Sequence, residues 1–149
     1  KLALKVGDEA PDFKLTDQDG KEVNLKSLKG SPIILYFYPK DDTPGCTKEA
    51  CGFRDAFPEI RSKGAVVLGV SLDDVYSHKK FAEKYNLPFQ LLSDKDKQVS
   101  RSYGVLGVGG RWARRVTFII DKEGRIRHIF KKVNVEQHPK EVLEILSKL

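Results

Sequence analysis

The sequence predicts one α/β domain, and three observations carry that prediction. Two short runs, Pro32–Tyr38 (PIILYFY) and Ala65–Val70 (AVVLGV), are apolar throughout, as strands buried on both faces are. The first is followed by Cys46, Ala50, Phe53, Phe57 and Ile60, apolar positions at steps of four, three, four and three, and the second by another helical stretch. At 149 residues the chain is long enough for one sizeable core and too short for two ordinary domains.

Taken in order, residues 11–25 alternate apolar and polar side chains on both sides of Asp19-Gly20, a favourable turn pair, and read as a β-hairpin capping one sheet edge. Residues 32–38 are the expected central strand. The helix that follows begins at Gly45, and Pro58 inside its stripe should end or kink it. Residues 65–73 return to a buried strand, 74–86 to a helix capped by Asp73 or Asp74, and 89–94 to a short strand. A short helix over 96–105 leads into a Gly-rich loop, 107–114. The segments 115–121 and 125–132 flank a tight turn as a second hairpin, and a helix opened by Pro139 closes the chain. Strands alternating with helices, then a hairpin and a helix, describe a thioredoxin-like α/β fold. Its mixed central sheet is flanked by helices, it carries an added N-terminal β-hairpin, and it occupies residues 1–149 as a single domain.

Composition narrows the function classes. With 40% hydrophobic and 32% charged residues the chain is of globular type. Its longest apolar runs fall far below the roughly 20 residues that span a bilayer, and residues 1–13 hold no apolar core of signal-peptide length, so a cytoplasmic protein without membrane contact is expected. No Met is present, at the start or elsewhere, which leaves open what precedes Lys1. The net charge of +6 is spread along the chain and interrupted by acidic residues, and no nucleic-acid-reading motif occurs, so no nucleic-acid partner is expected.

The only two cysteines, Cys46 and Cys51, stand at the start of the first helix. Two Cys and three scattered His offer no pair of ligand pairs at zinc spacing, so no metal is expected. The C-x-x-x-x-C spacing is not the C-x-x-C of dithiol exchange. Buried inert thiols remain a reading of the spacing alone. Against it, Cys46 lies at a helix mouth, where unpaired N–H groups and the macrodipole favour an anion. Thr43 brings a hydroxyl three residues earlier, and Pro44 fixes the turn. In a regular helix, residues five apart have Cα atoms about 8.7 Å apart. That is beyond the roughly 7 Å a disulfide tolerates, so a bridge would require the first turns to unwind.

The string TPGCTKEAC, preceded by YFYPKDD and followed by FRD two residues on, resembles the active-site segment of peroxiredoxins of the peroxiredoxin Q or bacterioferritin comigratory protein group. The likeness extends over nearly the whole chain, through GDEAPDFKLTDQDGKEVNL, VLGVSLDD, FAEKYNLPFQLLSD and RVTFIIDKEG. It implies a thiol peroxidase without metal or organic cofactor. Peroxide substrates would oxidise Cys46, the peroxidatic position, and Cys51, the resolving position, would close an intramolecular disulfide that thioredoxin or a similar dithiol reopens. It further implies that Thr43 and the backbone of Gly45 hold the peroxide, that Pro39 and Pro44 shield the pocket, and that Arg115 supplies a cation anchored by Glu49. Arg111 and Arg114 compete for that role, but alternation places Arg115 and Thr117 on one strand face and Arg114 on the other. Both thiols lie in one chain, and a monomer is expected.

A thiol-disulfide reductase on the same fold and a non-catalytic chaperone or nucleic-acid-binding module with inert thiols are the rival readings. The loop 107–113 is shorter than in many relatives of this group, and its Trp112 either lines the entrance or packs on the surface. His78, on a polar helix face, reads as solvated, and the other histidines find no partner in the sequence.

Overall fold

The computed structural model describes residues 4–149. Among them, strands β1 (Lys14–Asp17), β2 (Glu22–Asn24), β3 (Ile33–Phe37), β4 (Val66–Ser71), β5 (Gln90–Ser93), β6 (Val116–Ile120) and β7 (Ile126–Phe130) form one sheet in the order β2-β1-β5-β4-β3-β6-β7. The pairs β3–β4 and β4–β5 are parallel and the remainder antiparallel, which makes the sheet mixed as expected. Helices α1 (Pro44–Ser62), α2 (Val75–Tyr85), α3 (Gln98–Ser102) and α4 (His138–Leu146) complete the domain. No helix among the described residues is long and apolar enough to cross a membrane.

Pleating divides β3 between two cores. Ile33, Leu35 and Phe37 join β1, α3 and the N-terminal segment on one face. Ile34, Tyr36 and Tyr38 join Cys46, Ala50 and Phe53 of α1, Phe81 of α2 and Val142 of α4 on the other. The second face is crowded enough that a Cβ on Gly69 of β4 would lie 2.9 Å from Cζ of Tyr36, which accounts for a glycine inside a buried strand.

Two expectations change. β3 is interior, but the midpoint of the sheet is β4, because the N-terminal hairpin pairs through β1 with β5 and adds two strands on that side. Pro58 does not end its helix: α1 runs unbroken to Ser62. The proline ring is exposed and removes one N–H, while Phe53 and Ile60, on either side of it, are fully buried against the sheet. Packing of the apolar stripe outweighs the missing bond. Of the two candidate caps for α2, Asp74 performs the role, its carboxylate accepting the Ser77 N–H at 2.8 Å.

Candidate active site

The site forms where β3 gives way to α1. Thr43 is the N-cap of α1, in extended conformation, and Pro44 is its first residue, with φ already suited to a helix and no N–H to satisfy. The first backbone bond of the helix runs from Thr47 N–H to the Thr43 carbonyl at 2.8 Å, so the N–H groups of Gly45 and Cys46 stand ahead of it. Cys46 is buried, with 1% of its surface exposed, and its sulfur sits at the positive end of the helix.

The cation arrives from β6. That strand pairs with β3 in the register Phe37↔Val116, which sets Arg115 beside the end of β3. Its Nη2 donates to Cys46 Sγ at 3.4 Å and its Nη1 to Glu49 Oε1 at 2.7 Å. Gly45 makes room for this approach, since a Cβ there would lie 3.0 Å from Nη2. Burial opposes the charge on Arg115, but Glu49 and Cys46 outweigh that effect and hold the guanidinium above its ordinary value. One guanidinium thus reaches both the sulfur and the carboxyl group. The expected face assignment holds: Arg114 points away and donates to the Gly104 carbonyl at 2.7 Å, and Arg111 is exposed.

Behind Arg115 lies Glu49, the expected anchor, and beyond it His138 and Thr117, which sequence reasoning missed. Glu49 is 1% exposed and only Oε1 is bonded; Oε2 has no hydrogen-bond partner among the described residues. Burial pushes the Glu49 carboxyl up to about 7, against the opposing pull of Arg115. His138, the first residue of α4, is fully buried with Nε2 2.7 Å from the Thr117 hydroxyl and 4.0 Å from Glu49 Oε2. The edges or faces of Phe53 and Phe130 flank the ring, with centroids 5.4 Å and 4.9 Å away. Burial, then Arg115, depresses His138 to about 4, which leaves the imidazole neutral at physiological pH. Alternation with Arg115 was the one sequence signal that pointed toward Thr117.

The other expected residues fall as follows. The Thr43 hydroxyl donates to the Lys40 carbonyl at 2.8 Å rather than to the sulfur, which leaves its lone pairs as acceptors. Pro39 is half-buried and Pro44 is exposed on the rim. Cys51 is half-buried one and a half turns along α1, and both cysteines are free thiols. Just beyond Cys51, Gly52 faces α4 closely enough that a Cβ would lie 2.9 Å from Cγ of Pro139. Trp112 is exposed, its carbonyl accepting the Gly107 N–H at 2.9 Å across the loop.

A second polar cluster adjoins the loop before α1 and corrects the reading of His78 as solvated. His78 is fully buried, because α2 turns that side of itself toward the sheet. Its Nδ1 lies 2.7 Å from Asp41 Oδ2 and its Nε2 2.9 Å from the Leu92 carbonyl. Ligand atoms of Asp41, Asp73 and His78 come within 4.8 Å of one another. Each is already engaged within the protein, Asp73 Oδ2 by the Asp41 N–H at 2.9 Å and the Ser71 hydroxyl at 2.6 Å.

Known proteins resemble this chain over most of its length. The AhpC/TSA family matches residues 6–129. A putative peroxiredoxin bcp of Coxiella burnetii is 50% identical over 148 residues, covering 95% of this chain and 98% of that protein. The chloroplastic peroxiredoxin Q of Triticum aestivum is 47% identical over 148 residues, covering 98% of this chain and 68% of the relative. The solved structure of a Xanthomonas campestris bacterioferritin comigratory protein, described for its alkyl peroxide reduction activity, superimposes with a TM-score of 0.86 at 35% sequence identity, covering 91% of this chain and 90% of that one. The chain belongs to the AhpC/TSA family, as a thiol peroxidase of its peroxiredoxin Q and bacterioferritin comigratory protein branch.

Proposed function

We propose that Cys46 reduces the peroxide and Cys51 resolves the product. The observation that carries this reading is the Arg115 guanidinium, which bridges Cys46 Sγ and Glu49 at the mouth of α1. The Cys46 thiolate attacks one peroxide oxygen; the S–O bond forms as the O–O bond breaks, and the departing oxygen takes a proton to leave as water or an alcohol. Arg115 and the Gly45 and Cys46 N–H groups stabilise charge on the oxygens in flight, and they are in place before the reaction begins. The Thr43 hydroxyl, its proton committed to Lys40, accepts the hydrogen of the incoming hydroperoxide and so aligns the O–O bond with the sulfur. Pro39 and Pro44 border the entrance.

Cys51 then attacks the sulfenic sulfur, the S–S bond forms, and hydroxide departs with the Cys51 proton as water. Both residues lie in the unbroken α1, where regular geometry holds their Cα atoms about 8.7 Å apart. The first turns of α1 therefore unwind between the two steps. A dithiol protein of the thioredoxin kind attacks the resulting disulfide and restores both thiols. The substrates are hydrogen peroxide and organic hydroperoxides, the second class supported by the activity described for the Xanthomonas relative. The protein works as a single cytoplasmic domain and as a monomer, since one chain holds both thiols.

Intact mass of the reduced protein before and after one equivalent of hydrogen peroxide tests the cycle. The parent loses two mass units, Cys51→Ser gives a trappable sulfenic acid, and Cys46→Ser does not react. Indifference of all three proteins to peroxide would overturn the reading.

A further inference from the structure

We infer that His78 is a positioning residue for the peroxide step, fixing the loop that carries Thr43 through a buried bond to Asp41. This role rests on the assignment of Cys46 above.

The hydrogen bonds around His78 have one consistent reading. The Leu92 carbonyl can only accept, so Nε2 carries a proton. Asp41 Oδ2 also receives the Ser77 hydroxyl at 2.8 Å, while Oδ1 receives the Tyr38 hydroxyl at 2.6 Å. The remaining proton lies between Nδ1 and Oδ2. Every oxygen of the Asp41 carboxyl and both nitrogens of the ring are bonded, inside a site where His78 has no exposed surface. A side chain that merely filled space here could be apolar, which would avoid taking a polar pair out of water.

Location shows what the pair serves. Asp41 stands between Pro39 and Thr43, five residues before the reactive sulfur. Its N–H is held by Asp73 at the start of the α2 connection, its carboxyl by α2, and through His78 by β5. The next residue, Asp42, holds a left-handed conformation at φ 58° and bonds Lys84 at 2.9 Å and the Tyr85 hydroxyl at 3.1 Å, again on α2. The loop is thus attached to α2 at two consecutive residues, immediately ahead of a helix whose first turns must open and re-form in every cycle. Unwinding starts after this anchorage, and Thr43 returns to the same place when α1 closes.

The test exploits the two ends of the ring. Asn at position 78 retains a donor where Nδ1 stood, toward Asp41, and Gln retains one where Nε2 stood, toward Leu92. The rate of Cys46 oxidation by hydrogen peroxide is measured by quenched flow and intact mass for the parent, His78→Asn, His78→Gln and His78→Leu, alongside their thermal midpoints. Positioning through Asp41 predicts that His78→Gln and His78→Leu react at least about tenfold more slowly than the parent, while His78→Asn stays within about threefold, although Asn and Gln melt alike. Equal rates for Asn and Gln, or rates that simply follow the melting order, would overturn the role. Should His78→Leu fail to fold, the Asn and Gln pair alone decides. A parent that ignores peroxide overturns the assignment of Cys46 and this role with it; a reactive parent with indifferent variants overturns this role alone.

Discussion

Two buried clusters of carboxylate and imidazole lie on the same face of the sheet, and they are finished to different degrees. Around Asp41 and His78 every carboxyl oxygen and ring nitrogen has a partner. Around Arg115, Glu49 Oε2, His138 Nδ1 and the nearby Tyr36 hydroxyl are buried without one among the described residues. Buried polar atoms are normally satisfied, and an unsatisfied one costs about 1–3 kcal/mol. The complete cluster therefore stabilises one arrangement of the loop, whereas the incomplete one holds charge ready for a third participant.

Substitutions should expose that contrast. Asp41→Ala leaves the His78 ring buried opposite an empty position, and urea unfolding should show a loss of about 3–5 kcal/mol, the usual result of removing one member of a buried pair. An equal loss from Glu49→Gln would erase the distinction between the clusters. Arg115→Met removes the preorganised donor to the sulfur and to the departing oxygen. Stopped-flow oxidation by hydrogen peroxide should slow by about 10²–10³-fold, with secondary structure intact.

Glu49 and His138 make a pH prediction whose sign can be worked out. The folded Glu49 holds its proton up to about 7, above the ordinary 4.5, so its contribution to stability falls as pH rises through that window. His138 is depressed from 6.5 to about 4, so its contribution rises with pH between those values. The two slopes oppose each other over most of their range, and the parent should show little net change. Glu49→Gln leaves only the histidine, so stability should climb from pH 4 to 6.5 and then level off. At pH 8 the variant should exceed the parent by up to about 3 kcal/mol, while near pH 4.5 the two converge. Denaturant midpoints against pH measure both, and a variant that tracks the parent throughout would show that Glu49 is ionised without cost.

The smallest effect is expected at Pro58. Alanine there restores an N–H to α1 and should raise the thermal midpoint modestly and slow disulfide formation severalfold after oxidation, because the helix that must unwind is firmer. An unchanged rate of disulfide formation would place the opening wholly ahead of this residue.

Much of this was legible along the chain. The apolar runs at β3 and β4, the Asp19-Gly20 turn and the three-four stripe of α1 report local periodicity, which depends only on residues near in sequence. The choice of Arg115 followed from the family resemblance, strand alternation set Arg114 on the opposite face, and the structure places Arg115, and not its neighbour, on the sulfur. What periodicity could not supply was the partner of a polar residue far along the chain. Asp41 and His78 are 37 residues apart, and Thr117 and His138 are 21 apart. Read singly, His78 is a polar residue on a polar helix face.

The sequence by itself determined the strand and helix pattern, the placement of both thiols in the first turns of one helix and the family, because each is written in short-range spacing and in one specific string. Only the tertiary structure decided that β4 is the midpoint of the sheet, that Pro58 stays inside α1, and that two histidines are buried against carboxyl groups in opposite states of completion. Those outcomes depend on which distant side chains share a dry space, where burial and partner geometry outweigh local preference.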